Sequence, residues 1–162
     1  MSTQTSSPLK GPFLATLEAS ISGLRVLAQT LQEEQAALTG NDPQRLEDCV
    51  QRKIQQLQQL EHSVLAREQI LKQTDCGNGL AGTEQFLRRH FQPQEILAQW
   101  QELQSLSQQV DELNISNGKL AMAGERSTRH ALSILTGRSE EPQTYGRKAG
   151  KGAAAGYSLG KC

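Results

Sequence analysis

Leu38-Thr39-Gly40-Asn41-Asp42-Pro43-Gln44-Arg45-Leu46 carries a helix stop and a helix start within a few residues. Gly40 can end a helix in the left-handed conformation. Asp42 is a ready N-cap, and Pro43 suits the first helical position, where no amide proton is needed. Upstream of this turn, Leu17, Ile21, Leu24, Ala28, Leu31, Gln35 and Leu38 step by alternating fours and threes. Downstream, Leu46, Val50, Lys53, Leu57, Leu60, Val64, Arg67 and Leu71 repeat the alternation. That period marks a narrow coiled-coil seam rather than the wide apolar face of a globular helix. Lys53 and Arg67 interrupt the second seam, with Ile54 and Ile70 beside them to take up part of it. Two helices, about 12–39 and 43–75, are predicted to fold back as an antiparallel hairpin. At 1.5 Å per residue each arm is roughly 40–50 Å long.

Further along, Cys76-Gly77-Asn78-Gly79-Leu80-Ala81-Gly82 breaks the pattern and reads as a flexible connector. It lacks the lysine and hydroxyl residue of a phosphate-binding loop and follows no strand. Thr83 can cap a short helix through His90, and Pro93 restarts a long one with Glu95 in its first turn. Ile96, Trp100, Leu103, Leu106, Val110, Leu113, Leu120, Ala131, Leu132 and Leu135 mark its apolar positions as far as Thr136. The expected fold class is therefore all-α: a long antiparallel helical hairpin plus a third long helix over 83–136, broken near 91–93, as a coiled-coil-like three-helix bundle. Residues 1–10 are expected to be disordered, 11–137 to form the helical domain, and 138–162 to be a flexible basic tail. That tail holds five Gly and five Lys or Arg against two Glu, with few apolar groups to offset the entropy of ordering it.

Composition narrows the function. Aromatic residues make up 4% and hydrophobic residues 36% of the 162, so a thin seam fits better than a thick core. Lys+Arg and Asp+Glu both number 17, which removes any general attraction to nucleic acid or an anionic membrane. No run of apolar residues is long enough to span a bilayer, and Met1 to Pro12 lacks the apolar centre of a secretion signal. Cys49, Cys76 and Cys162 are far apart and form no metal-binding pair, as expected of reduced thiols in the cytoplasm. His62, His90 and His130 lie on separate stretches, without a Cys or carboxylate at ligand spacing. No nucleophile, metal or acid–base motif can be pointed to, so the chain reads as a non-enzyme with no cofactor.

The unusual segment is Leu113-Asn114-Ile115-Ser116-Asn117-Gly118-Lys119-Leu120. Asn114 and Asn117 lie three apart on one helical side, where an amide in a seam sets register at a cost in stability. Gly118 and Gly124 inside the helix each cost about 1 kcal/mol relative to Ala. Such residues suit the close approach of another backbone, or a bend, and an adaptable surface for a partner helix.

Leu113-Asn114-x-x-Asn117-Gly118-x-Leu120 resembles a segment of the FlgN family of flagellar export chaperones. Ala131-Leu132-x-x-Leu135, eleven residues on, and Glu141-Pro142-x-x-Tyr145-Gly146 are similar to further family segments in the same order, and Trp100-Gln101 fits another. The likeness runs over about Trp100 to Gly146. Thr144 before the tyrosine and Arg147-Lys148-Ala149-Gly150 after it depart from the family's usual apolar and acidic neighbours. The resemblance implies a cytosolic chaperone for the C-terminal helical segments of the hook-associated proteins FlgK and FlgL. It implies client contacts at Leu113, Asn114, Asn117, Gly118, Leu120, Ala131, Leu132 and Leu135. Tyr145 and Gly146 would dock the export gate protein FlhA. Alternatives are a FliT-like chaperone of the same secretion system with another cargo, or a structural coiled-coil adaptor. The heptads leave open whether the hairpin closes on its own third helix or on a second copy as a homodimer.

Overall fold

The computed structural model describes residues 7–136, and every regular element among them is an α-helix. These are α1 (Lys10–Gly40), α2 (Pro43–Leu71), α3 (Gly79–His90) and α4 (Pro93–Thr136). The all-α expectation holds. The expected tail, 138–162, lies outside the described residues, as do residues 1–6 of the expected disordered start. The chain divides into two compact units, Met1–Glu125 and Arg126–Cys162.

Between α1 and α2, Asp42 accepts from the Arg45 amide at 3.1 Å and Pro43 opens α2, the N-cap read from sequence. The left-handed residue is Asn41 (φ 53°), not Gly40, which is still helical. Asn tolerates that region because its short amide can bond locally. The 41–42 turn is closed by the Asp42 amide donating to the Ala37 carbonyl at 3.0 Å.

Contacts ascending α1 descend along α2: Ser20 meets Ser63, Thr30 meets Gln56 and Glu34 meets Lys53. Gly23 lets Leu60 close in, since a Cβ there would stand 2.8 Å from a Leu60 methyl carbon. Contacts from α1 to α4 ascend on both: Lys10 with Glu95, Arg25 with Glu102, Gln35 with Ser116. With neighbours on two sides, α1 buries more than a heptad stripe. Leu27, Thr30, Glu34 and Ala37 are buried beside Leu17, Ile21, Ala28 and Leu31. By contrast α2 buries little, and Ile54, Leu57, Val64 and Leu65 remain exposed. Leu57 and Val64, read as seam residues, therefore lie largely outside the packed face.

The thickest packing lies at one end, where the start of α1 and the end of α2 meet α3 and the start of α4. Phe13 stacks on Phe86 with ring centroids 4.3 Å apart, and Phe91 is tilted against both. Leu17, Ile21, Ile70, Leu71, Cys76, Leu87 and Ile96 complete the cluster. Each such aliphatic or aromatic side chain contributes about 1.5–3 kcal/mol on burial. Nothing local in the sequence announces this knot, because Phe13 stands more than seventy residues from Phe86 and Phe91.

The glycine-rich connector is a folded bend rather than a loose link. Past Leu71 the Gln73 and Thr74 amides turn back to the Ile70 and Leu71 carbonyls, ending α2 four residues before the expected Asp75. Cys76 is buried, and the Gly79 amide donates to Glu68 Oε1 at 2.9 Å. A Cβ on Gly82 would lie 2.6 Å from the Gly77 carbonyl carbon, so backbone packs on backbone there. Thr83 is not the cap: α3 has already begun at Gly79, and Thr83 Oγ1 donates back to the Gly79 carbonyl at 2.9 Å.

Candidate functional site

Three polar seam residues find partners on other helices. Lys53 donates to Glu34 Oε1 at 2.6 Å, and the other oxygen of Glu34 accepts from Asn117 Nδ2 at 2.8 Å. Asn117 also donates to the Leu31 carbonyl at 2.8 Å. One buried carboxylate thus joins α2, α1 and α4. Asn117 is only 3% exposed, and its Oδ1 is buried with no hydrogen-bond partner. Nearby, Gln35 Nε2 donates to Ser116 Oγ at 3.1 Å. Between the first half of α1 and the last turns of α2, Arg67 reaches Ser20, which is paired with Ser63. Burial lowers the pKa of the Arg67 guanidinium from its ordinary value.

This network separates residues that the sequence reading had grouped. Leu113 is half-buried and Asn114 exposed, whereas Asn117 is turned under α1. Three residues advance an α-helix by about 300°, which leaves a 60° offset. Here that offset is enough to put one amide inside and the other outside. Asn117 is thereby removed from the open surface and belongs to the packing. Gly118 is exposed and has open space where a side chain would stand, with no atom of the described residues within 4 Å of a Cβ placed there.

Leu120 is 37% exposed and borders a recess of about 550 Å³. The opposite wall is the end of α1, from Gln32 and Gln35 through Ala36 to Thr39 and Gly40. Sequence reasoning missed this wall, although Ala36 and Gly40 are small residues flanking the seam. It also missed Ile115 and Met122, which are exposed on α4 in the same unit as Leu120.

In the second unit residues 126–132, 134 and 135 of α4 are exposed. Leu132 is 54% and Leu135 81% exposed, Ala131 is exposed, and Ile134 joins them. Tyr145 and Gly146 lie outside the described residues. No group of three or more potential metal ligands occurs among the described residues, and no helix among them is long and apolar enough to cross a membrane.

These features define a helical protein with a polar-keyed interior in its first unit and large apolar side chains exposed on α4 in each unit. The family model for the FlgN protein matches residues 12–152. The chain therefore belongs to the FlgN family, a family of flagellar export chaperones and not of enzymes. Neither the curated proteins nor the solved structures contain a match.

Proposed function

We propose that this protein holds the C-terminal helical segments of the hook-associated proteins FlgK and FlgL in the cytosol and delivers them to the export gate protein FlhA. The observation that carries the reading is the set of large apolar side chains left exposed on α4: Leu120 and Met122 in one unit, Leu132, Ile134 and Leu135 in the other. A helix with apolar anchors exposed along its length is what an amphipathic client segment needs as a bed. Leu113, Asn114, Gly118, Leu120, Ala131, Leu132 and Leu135 are the proposed client contacts, and Asn117 holds α4 to α1 within the first unit. Tyr145 and Gly146 are the proposed gate contact, since a tyrosine offers a large apolar anchor with a polar end. The architecture proposed to serve this is an antiparallel hairpin of α1 and α2 with α4 alongside α1, supported by the opposed and parallel ladders of contacts.

Calorimetric titration with FlgK, and with FlgK lacking its C-terminal helical segment, tests the reading. Micromolar or tighter binding to the intact client, lost on truncation, is expected. No binding, together with a stable client-free homodimer through the exposed face of α2, would replace the chaperone with a structural adaptor. Tight binding of another flagellar cargo in place of FlgK and FlgL would make it a FliT-like chaperone.

A further inference from the structure

A second recess lies at the opposite end of the first unit from Leu120, and the chaperone reading makes no use of it. It measures about 650 Å³ and is enclosed by the first turn of α1, the last turn of α3 and the first turns of α4. That volume falls within the usual range of ligand pockets. Its inner wall is apolar, with Phe91 and Ile96 buried and Trp100 half-buried, while Leu97 is 51% exposed at its mouth.

The rim is basic. Lys10, Arg88 and Arg89 line it against Glu84 and Glu95, and His90 stands with them. Glu95 is already held by Lys10 at 2.9 Å and by the Gln92 amide at 3.0 Å. Lys10 also sits over the Phe91 ring, 4.8 Å from its centroid. Arg89 is turned toward Cys76. Arg88 is exposed, and its side chain makes no hydrogen bond or ion pair with the described residues. The negative end of the α3 dipole accounts for cations at Arg88, Arg89 and His90. It does not account for a large leucine held half in water beside an aromatic wall.

We infer that this pocket binds an acidic peptide segment carrying an aromatic or branched aliphatic side chain between its carboxylates. The apolar side chain enters against Trp100, Ile96 and Leu97, displacing water from a wall that has few polar groups to solvate. A flanking carboxylate takes the planar guanidinium of Arg88, a geometry that guanidinium groups favour. A basic or neutral segment would leave Arg88 unpaired at a desolvated rim. The charge on this rim therefore selects the acidic class.

Trp100 is the only tryptophan in the chain, so its emission reports on the pocket directly. The probe is an acetylated, amidated pentapeptide, Glu-Leu-Asp-Phe-Glu, titrated into the full chain. Two control peptides are Gln-Leu-Asn-Phe-Gln, without the charges, and Glu-Ala-Asp-Ala-Glu, without the apolar groups. The expected result is a saturable change in Trp100 emission with the first peptide and at least roughly tenfold weaker binding of each control. Arg88→Glu and Leu97→Asp should each weaken the first peptide by about tenfold or more, with unchanged helical circular dichroism, because both side chains are exposed. Equal binding of the uncharged peptide, an unaffected Arg88→Glu variant, or no saturation by about 1 mM would overturn the inference. So would binding that emerges only after removal of residues 1–6, which would assign the pocket to the chain's own N-terminus. None of these readings depends on whether FlgK binds.

Discussion

Lys53, Arg67 and Gln35 look like faults in the heptads when the chain is read linearly, and each proves to have a partner on another helix. Glu34 matters most, because one carboxylate buried to 5% exposure serves both Lys53 and Asn117. Asn117→Ala removes two donated hydrogen bonds and strands one Glu34 oxygen, while the Leu31 carbonyl keeps its partner within α1. The expected loss is about 1–3 kcal/mol, read from the urea midpoint at constant slope. A loss below about 0.5 kcal/mol would mean that water replaces the amide without penalty. The position of Asn117 in the LNxxNGxL-like segment is thus explained by packing, and Asn114 is the exposed asparagine of that segment. That distinction was not legible in the residues, since both asparagines stand on the same side of the predicted helix.

Among the helices and their ends, the turn at 41–43 was read almost correctly from chemistry acting within four residues. Only the left-handed position moved, from Gly40 to Asn41. Asp42→Ala should destabilise the chain by about 1 kcal/mol through loss of the bond to the Arg45 amide, measured as a lowered thermal midpoint. The start of α4 is tied to α1 by Glu95. The Lys10 ammonium and then the Gln92 amide hold its carboxyl below the ordinary carboxylate range. A carboxylate with a depressed folded pKa adds stability above its unfolded pKa of about 4.5, and loses it as pH falls through the folded value. Glu95→Gln should therefore narrow the difference in stability between pH 6 and pH 3 in denaturant titrations. Because this pair is exposed, the effect should be small and should fade further in high salt.

For the protein acting with its partners, the informative variants are those that leave the packing intact. Leu120→Asp combined with Leu132→Asp alters only partly or largely exposed positions. It should abolish FlgK binding in calorimetry while helical circular dichroism is retained. Unchanged affinity would remove α4 as the client surface. Tyr145→Ala should keep client affinity within about twofold and weaken capture by the cytosolic domain of FlhA. Loss of both activities in this variant would show that docking and client binding share one surface.

Helix content, the tight turn, the restart at Pro93 and the absence of any recognisable catalytic group could all be read from the chain alone. Propensity, capping and heptad spacing act over a turn or two, so a linear reading captures them. Which polar seam residue turns inward, which heptad leucine stays in water, and how Phe13 meets Phe86 and Phe91 to close one end depended on tertiary contacts. Asn117 and Glu34 stand 83 residues apart, and no local rule links them. The two recesses likewise exist only where separate helices meet. Their walls are drawn from α1 and α4, with α3 added at the aromatic end. Burial and pairing are decided by neighbours brought together in space, and a period along one helix cannot name them.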